Sequence, residues 1–121
     1  MNRKILLVED HDSLRYLMGA FLSRQFEVVG AKDGLDAMSW LSKGVLPDVI
    51  VTDVGMPGLD GADLLASLRC SGLYADIPVV VISGDGNESE EQRLRQLGAC
   101  DYIRKPFSPV MLQDRLKQIV G

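Results

Sequence analysis

Five polar residues of the chain follow or end short apolar runs, and their side chains are types that bind cations or phosphate. Glu9 and Asp10 come directly after the first run, and Asp53 ends a later one. Ser83 ends the fourth run, and Lys105 follows the fifth. Three carboxylates, one hydroxyl and one ammonium would form a site with a formal charge of about −2 if they met.

The negative charge of such a group requires a cation. Two carboxylates ~4 Å apart repel each other by about 4 kcal/mol at an effective dielectric constant of ~20, unless one binds a proton. Oxygen ligands favour Mg²⁺, Mn²⁺ or Ca²⁺ over zinc, and a sparse set with room for water and phosphate favours Mg²⁺. We therefore predict a magnesium site. His11 adjoins the acidic pair, but we interpret it as a loop residue rather than a ligand.

The apolar runs that carry these residues predict the strands of a parallel sheet. They are rich in valine and isoleucine and are continuous rather than alternating, which is typical of strands buried on both faces. The five runs cover residues 5–8, 28–29, 49–51, 79–82 and 102–103. Ligands of open parallel sheets gather beyond the carboxyl ends of the strands, so the polar residues are expected to converge there.

Segments with helical spacing separate the runs and predict a doubly wound α/β sandwich. Their apolar stripes are Leu14, Leu17, Met18, Phe21 and Leu22; Ala37, Met38 and Leu41; Leu64, Leu65 and Leu68; and Leu112, Leu116, Ile119 and Val120. Ser108 before Pro109 marks one helix start, and Asn87 to Glu90 has the outline of a capping box. The helix over 88–97 offers only Leu94 and Leu97 to a core, so it should move most easily.

Length and composition exclude several classes of function. A chain of 121 residues forms one domain, and its net charge of −4 is opposite to that of a nucleic-acid-binding protein. The first apolar run is too short for a signal peptide or a membrane span. Cys70 and Cys100 suggest neither a disulfide framework nor a zinc site. We expect both thiols to behave as small apolar side chains in a reducing cytoplasm.

Six motifs occur in an order and spacing that are specific when taken together. They are Leu7-Val8-Glu9-Asp10, Val51-Thr52-Asp53, Met56-Pro57-Gly58-Leu59-Asp60-Gly61, Val81-Ile82-Ser83-Gly84, Gly98-Ala99-Cys100-Asp101-Tyr102 and Lys105-Pro106-Phe107. With them, residues 1–121 resemble a receiver domain of bacterial two-component response regulators. The resemblance implies a flavodoxin-like (βα)5 fold, a five-stranded parallel sheet with strand order 2-1-3-4-5.

The resemblance also implies a role for each site residue. Asp53 would accept a phosphoryl group from the phosphohistidine of a sensor histidine kinase or a histidine phosphotransfer protein. Glu9, directly or through water, and Asp10 would hold Mg²⁺ together with Asp53. The backbone carbonyl of Gly55 would complete the protein ligands. Lys105, aimed inward by a cis bond to the following proline, would pair with a phosphoryl oxygen.

A conformational switch is the second implication of the resemblance. The Ser83 hydroxyl would turn toward the phosphoryl group, and Tyr102 would exchange between outward and inward positions as Ser83 moves. Gly84 and Gly86 are expected to loosen the loop between them. The resemblance implies a phosphoacceptor rather than an enzyme that acts on a metabolite. It also implies a monomer or weak homodimer, and an output target or effector domain that the sequence does not name.

Two alternatives have specific sequence requirements. A Mg²⁺-dependent phosphohydrolase of the haloacid dehalogenase type needs a second aspartate two residues after the nucleophile, where this chain has Gly55. A pseudo-receiver, used only for docking or dimerisation, is usually marked by loss of Asp53, Ser83 or Lys105, and all three are present. Nucleotide binding is not indicated either, because neither the GxGxxG nor the GxxxxGK(S/T) motif follows a predicted strand.

Overall fold

The computed structural model of the chain describes residues 2–56 and 58–121. Within these residues, strands and helices alternate as β1 Lys4–Val8, α1 Asp12–Leu22, β2 Glu27–Ala31, α2 Gly34–Ser42, β3 Val49–Asp53, α3 Gly61–Arg69, β4 Val79–Ser83, α4 Glu88–Gln96, β5 Asp101–Arg104 and α5 Pro109–Val120. The strands pair in parallel in the order β2-β1-β3-β4-β5. The predicted fold class, strand order and all five strands are confirmed.

Two hydrophobic cores cover the two faces of the sheet. Along β1, Leu6 and Val8 point to one core, while Ile5 and Leu7 point to the other. Helices α2, α3 and α4 close the first core, and α1 and α5 close the second. Every residue of β3 and β4 is buried, which is why these segments read as continuous apolar runs.

Three expectations about apolar residues were wrong. Leu17 does not face the sheet: 66% of it is exposed, because Met18 and Leu22 already occupy the side of α1 that meets the sheet. Cys70 and Cys100 are exposed rather than packed in a core. Cys70 follows the last residue of α3 and Cys100 precedes β5, so both lie where an element meets the surface.

The predicted helix starts are confirmed at α4 and α5. The Met111 amide donates to the Ser108 side chain, and the Glu90 amide donates to the Asn87 side chain at 2.8 Å. The Glu90 side chain accepts a hydrogen bond from Tyr102, so it takes a partner outside the capping box. In α4 only Leu94 is fully buried. This helix therefore has the small apolar anchor that its sequence predicts.

Candidate functional site

The carboxyl ends of four neighbouring strands form the site. Backbone hydrogen bonds continue past the strand ends: the Glu9 amide donates to Ala31, and the Lys105 amide donates to Ser83 at 2.8 Å. The Val54 amide likewise donates to Ile82 at 2.9 Å. These bonds keep the strand ends in register, so the predicted residues meet at one edge of the sheet.

Asp53 lies at the centre of the site with both carboxylate oxygens engaged. Its Oδ2 accepts a hydrogen bond from Lys105 Nζ at 2.9 Å, and its Oδ1 accepts one from the Gly55 amide at 3.2 Å. The carboxylate is almost buried, with 7% of the residue exposed. The Lys105–Pro106 bond is cis, as the resemblance implies. A cation and a buried carboxylate are thus fixed in direct contact.

Glu9, the first residue of the acidic pair after β1, lies beside Asp53. Glu9 is buried, and its Oε1 lies 3.5 Å from Lys105 Nζ. Its Oε2 accepts a hydrogen bond from the His11 amide at 3.1 Å. The His11 ring is also close, with Nδ1 3.4 Å from Glu9 Oε2 and 3.5 Å from Asp10 Oδ1. Lys105 therefore bridges Glu9 and Asp53, as the convergence of strand ends predicts.

The pKa values of Glu9 and Lys105 reflect this crowding. Burial raises the pKa of Glu9 above its usual value, the hydrogen bond from the His11 amide opposes the rise, and the charge of Asp53 adds to it. Burial lowers the pKa of Lys105, but the hydrogen bond to Asp53 and the charges of Asp53 and Glu9 outweigh it, so the net shift is upward. The site therefore resists ionisation of Glu9 and retains the charge on Lys105.

The donor set fits a divalent cation that prefers oxygen. Glu9, Asp10 and His11 each offer a ligand atom, and the three atoms lie within 4.8 Å of one another. Asp10 Oδ1 is buried and has no hydrogen-bond partner among the described residues. A buried carboxylate oxygen without a partner is costly, and a bound cation would remove that cost.

Ser83 and Tyr102 are both buried beside this group. The Tyr102 hydroxyl donates to Glu90 Oε1 at 2.5 Å. Burial is the main reason that the pKa of Tyr102 is raised, and this hydrogen bond raises it further. A Cβ atom at Gly86 would overlap the Tyr102 hydroxyl and lie 3.2 Å from Ser83 Oγ. The Tyr102 ring therefore points inward, and the loop over it can approach the Tyr102 hydroxyl this closely only because residue 86 is a glycine.

An open cavity of about 260 Å³ gives access to Asp53. Its lining includes His11, Gly55, Ser83, Asp85, Glu90 and Lys105. A Cβ atom at Gly55 would meet nothing within 4 Å, so the approach past this residue is unobstructed. Of the predicted turn 56–61, Pro57 lies outside the described residues, and Gly58 has a positive φ of 73° that favours glycine.

Sequence reasoning missed the contributions of Glu90 and Gly86. The sequence indicates only a helix-capping role for Glu90, and nothing in its spacing indicates a contact with Tyr102 twelve positions later. The sequence predicts flexibility at Gly86, whereas in the structure its small size is what admits the Tyr102 hydroxyl. No local signal reveals either contact, because both depend on how α4 packs against β5.

Comparisons with known proteins agree with this geometry. The pattern of the response regulator receiver domain matches residues 5–117. A chemotaxis protein CheY homolog of Campylobacter jejuni is 30% identical over 120 residues, which is 98% of this chain and 92% of that protein. The phosphate regulon transcriptional regulatory protein PhoB of Escherichia coli is 36% identical over 121 residues, 99% of this chain and 52% of PhoB.

A solved structure of the Francisella response regulator 1452 receiver domain superposes with a TM-score of 0.90. It is 28% identical and the match covers 98% of this chain and 97% of that one. The chain belongs to the response regulator receiver domain family. It is a CheY-like receiver domain of two-component signalling, which is a signalling family rather than a classical enzyme family. No helix among the described residues is long and apolar enough to cross a membrane.

Proposed function

We propose that Asp53 is the phosphoacceptor of this receiver domain and that residues 1–121 act as one such domain. The observation that carries the proposal is the Asp53 carboxylate held 2.9 Å from Lys105 Nζ, where it lines an open cavity and lies close to Glu9. The donor would be the phosphohistidine of a sensor histidine kinase or a histidine phosphotransfer protein. Because the relatives include a transcriptional regulatory protein, we place the reaction in the cytoplasm.

The transfer exchanges one phosphorus bond for another. An oxygen of the Asp53 carboxylate attacks phosphorus, the bond from phosphorus to the donor imidazole breaks, and that imidazole leaves with the electron pair and takes up a proton. The product is an acyl phosphate on Asp53. Lys105, already paired with Asp53, would turn to a phosphoryl oxygen and offset the charge spread over those oxygens. The chain would thereby promote only its own phosphorylation and dephosphorylation.

Mg²⁺ would be held by Glu9, Asp10 and Asp53, together with the backbone carbonyl of Gly55. When bound, it supplies positive charge that stabilises the transferring phosphoryl group. The unpartnered Asp10 Oδ1 and the raised pKa of Glu9 support this assignment, because a bound cation would give the buried oxygen a partner and would offset the burial and the Asp53 charge that raise the pKa of Glu9. Lys105 brings a single positive charge to the two carboxylates of Glu9 and Asp53.

The switch would involve Ser83 and Tyr102. A phosphoryl group on Asp53 adds about −1.5 to −2 charges and new acceptor oxygens, toward which the Ser83 hydroxyl can donate. Because Tyr102 is bonded to Glu90 in the first turn of α4, any displacement of the ring is passed to that weakly anchored helix. The surface that changes would contact the output target or effector domain.

A small phosphodonor tests the acceptor role. Wild-type protein incubated with acetyl phosphate and Mg²⁺ should gain the mass of one phosphoryl group, whereas Asp53→Asn, or wild type with a chelator, should gain none. Asp85→Asn is the matched control, because Asp85 lines the same cavity without contacting Lys105. A wild-type protein that takes up no phosphoryl group would favour the pseudo-receiver alternative, a docking or dimerisation module.

A further inference from the structure

We propose that His11 is a nitrogen ligand of the metal site and shifts its preference toward first-row transition cations such as Zn²⁺, relative to the same site without an imidazole. The inference rests on the proposed function, because His11 would join the oxygen ligands named there. The sequence by itself favours an ordinary loop residue at position 11. Its geometry points to a specific role.

The His11 ring faces both members of the acidic pair. Nδ1 lies 3.4 Å from Glu9 Oε2 and 3.5 Å from Asp10 Oδ1. Neighbouring ligand atoms of a six-coordinate ion with bonds of ~2.1 Å are ~3.0 Å apart, and opposite ones are ~4.2 Å apart. The two separations from Nδ1 exceed the smaller value by only a few tenths of an ångström, and the ligand atoms of all three side chains lie within 4.8 Å of one another. One cation could therefore bind all three side chains after small rotations.

The orphaned oxygen of the site lies close to the imidazole. Asp10 Oδ1 is buried without a hydrogen-bond partner among the described residues, and it is the same atom that lies 3.5 Å from His11 Nδ1. The His11 amide also donates to Glu9 Oε2, so the backbone holds the ring next to that carboxylate. A cation between Nδ1 and Oδ1 would give the buried oxygen its missing partner.

The chemistry of the imidazole sets the expected selectivity. Imidazole nitrogen is a good ligand for zinc, copper, iron and nickel, whereas Mg²⁺ prefers oxygen and retains water. A site of carboxylates alone has no such bias toward a borderline-soft ion. Removing the imidazole should therefore weaken Zn²⁺ binding and leave Mg²⁺ binding almost unchanged.

The single histidine of the chain makes a direct test possible. Cys70 and Cys100 are exposed thiols that could bind zinc elsewhere, so both are changed to serine in every protein compared. Calorimetry with ZnCl₂ and with MgCl₂ compares the metal affinities of the protein that retains His11 and of its His11→Ala variant. ¹⁵N spectra of the imidazole show whether the ring itself binds the ion. Asp12→Asn is the matched control, because Asp12 begins α1 next to His11 and its side chain is solvent-exposed.

We expect His11→Ala to weaken Zn²⁺ binding by about tenfold or more and to change Mg²⁺ binding by less than about twofold. Asp12→Asn should keep both affinities, and one equivalent of Zn²⁺ should shift the imidazole ¹⁵N resonances where Mg²⁺ does not. An unchanged ratio of the two affinities in His11→Ala, or imidazole resonances unmoved by Zn²⁺, would overturn the inference while phosphoryl uptake by Asp53 still stood. Wild-type protein that binds neither ion and takes up no phosphoryl group would remove the metal site itself.

Discussion

Among the residues that the structure describes, Lys105 is the one cation in direct contact with Asp53, at 2.9 Å, and it also reaches Glu9 at 3.5 Å. In the proposed transfer its role would depend on position as well as charge, because the lysine ammonium would have to move from a carboxylate oxygen to a phosphoryl oxygen without leaving the site. Most lysines lie on the surface with a solvated head group. Lys105 differs from them because it follows β5 and its backbone amide donates a hydrogen bond to the Ser83 carbonyl.

Replacing Lys105 with methionine should slow phosphoryl uptake from acetyl phosphate by about 100-fold, because a donor aimed at the developing charge is lost. Quenched-flow mass spectrometry would measure the rate. Lys117→Met, on α5, is the control and should react at the wild-type rate. A Lys105→Met protein that reacts as fast as wild type would show that the contact with Asp53 has no part in the transfer.

Glu9 should make stability depend on pH in a direction unusual for a carboxylate. Its pKa in the folded protein is raised, chiefly by burial, so folding favours the protonated form. The resulting stabilisation is present below the unfolded pKa and is lost as the pH rises through the folded pKa. At neutral pH without metal, ionised Glu9 therefore lowers the free energy of unfolding.

Glu9→Gln should accordingly raise the free energy of unfolding at pH 7 in the presence of a chelator, by on the order of 1 kcal/mol. The gain should shrink as the pH is lowered toward the unfolded pKa of glutamate. Urea denaturation at a series of pH values measures it, and Glu27→Gln, at an exposed position of β2, is the control. A Glu9→Gln protein that is less stable at pH 7 would contradict the account.

The positions of the site residues could be predicted from the sequence because their placement follows from strand order. Glu9, Asp10, Asp53, Ser83 and Lys105 each follow or end an apolar run, and parallel strands bring such residues to one edge. The partners of Tyr102 and the approach of the His11 ring to the carboxylates of Glu9 and Asp10 could not be predicted in the same way. They depend on side-chain rotamers and helix placement, which leave no periodic signal.

At the scale of elements, the β4–α4 segment joins the site to α4. Gly86 lets the loop close over the Tyr102 hydroxyl, and Glu90 ties that hydroxyl to the first turn of the helix. The helix itself is held to the core by Leu94, with Leu97 packed at its end. A helix with one fully buried side chain has little packing energy to resist displacement.

Gly86→Ala should displace Tyr102 from its inward position, because the added Cβ would overlap the hydroxyl. Gly84→Ala is a closely matched control, since a Cβ at that position would meet only Lys105 Cδ at an ordinary 3.8 Å. Hydrogen exchange of α4 and the resonances of the Tyr102 ring should change in the first variant and remain as wild type in the second. Identical spectra for the two variants would show that the loop has room to spare.

The α1 stripe shows where element-level prediction fails. Five apolar residues within nine positions predicted one buried face, but the sheet-facing side of α1 has room for Met18 and Leu22, and Leu17 is left exposed. Periodicity identifies the helix and its general orientation. It does not give the width of the surface against which the helix packs.

At the scale of the whole molecule, the site ties together segments that are distant in the chain. Lys105 contacts Glu9 across 96 positions and Asp53 across 52. A cation bound by Glu9, Asp10 and Asp53 would join the segment after β1 to the end of β3. Any ligand that binds the folded protein but not the unfolded chain stabilises the folded state.

Mg²⁺ should therefore raise the free energy of unfolding, by about 2.7 kcal/mol when its concentration is 100 times Kd. Thermal denaturation of the wild type with and without MgCl₂ would show the increase. Asp10→Asn should lose most of it, whereas Asp63→Asn, in the first turn of α3, should retain it. An equal increase in Asp10→Asn would place the ion elsewhere on the molecule.

The most direct test of the central claim is to locate the phosphoryl group. Protein phosphorylated with acetyl phosphate and Mg²⁺ is treated with borohydride, which reduces an aspartyl phosphate to homoserine, and peptides are sequenced by mass spectrometry. The account predicts homoserine at position 53 and an intact aspartate or glutamate at positions 9, 10 and 85. Homoserine at another acidic position, with Asp53 unchanged, would contradict it.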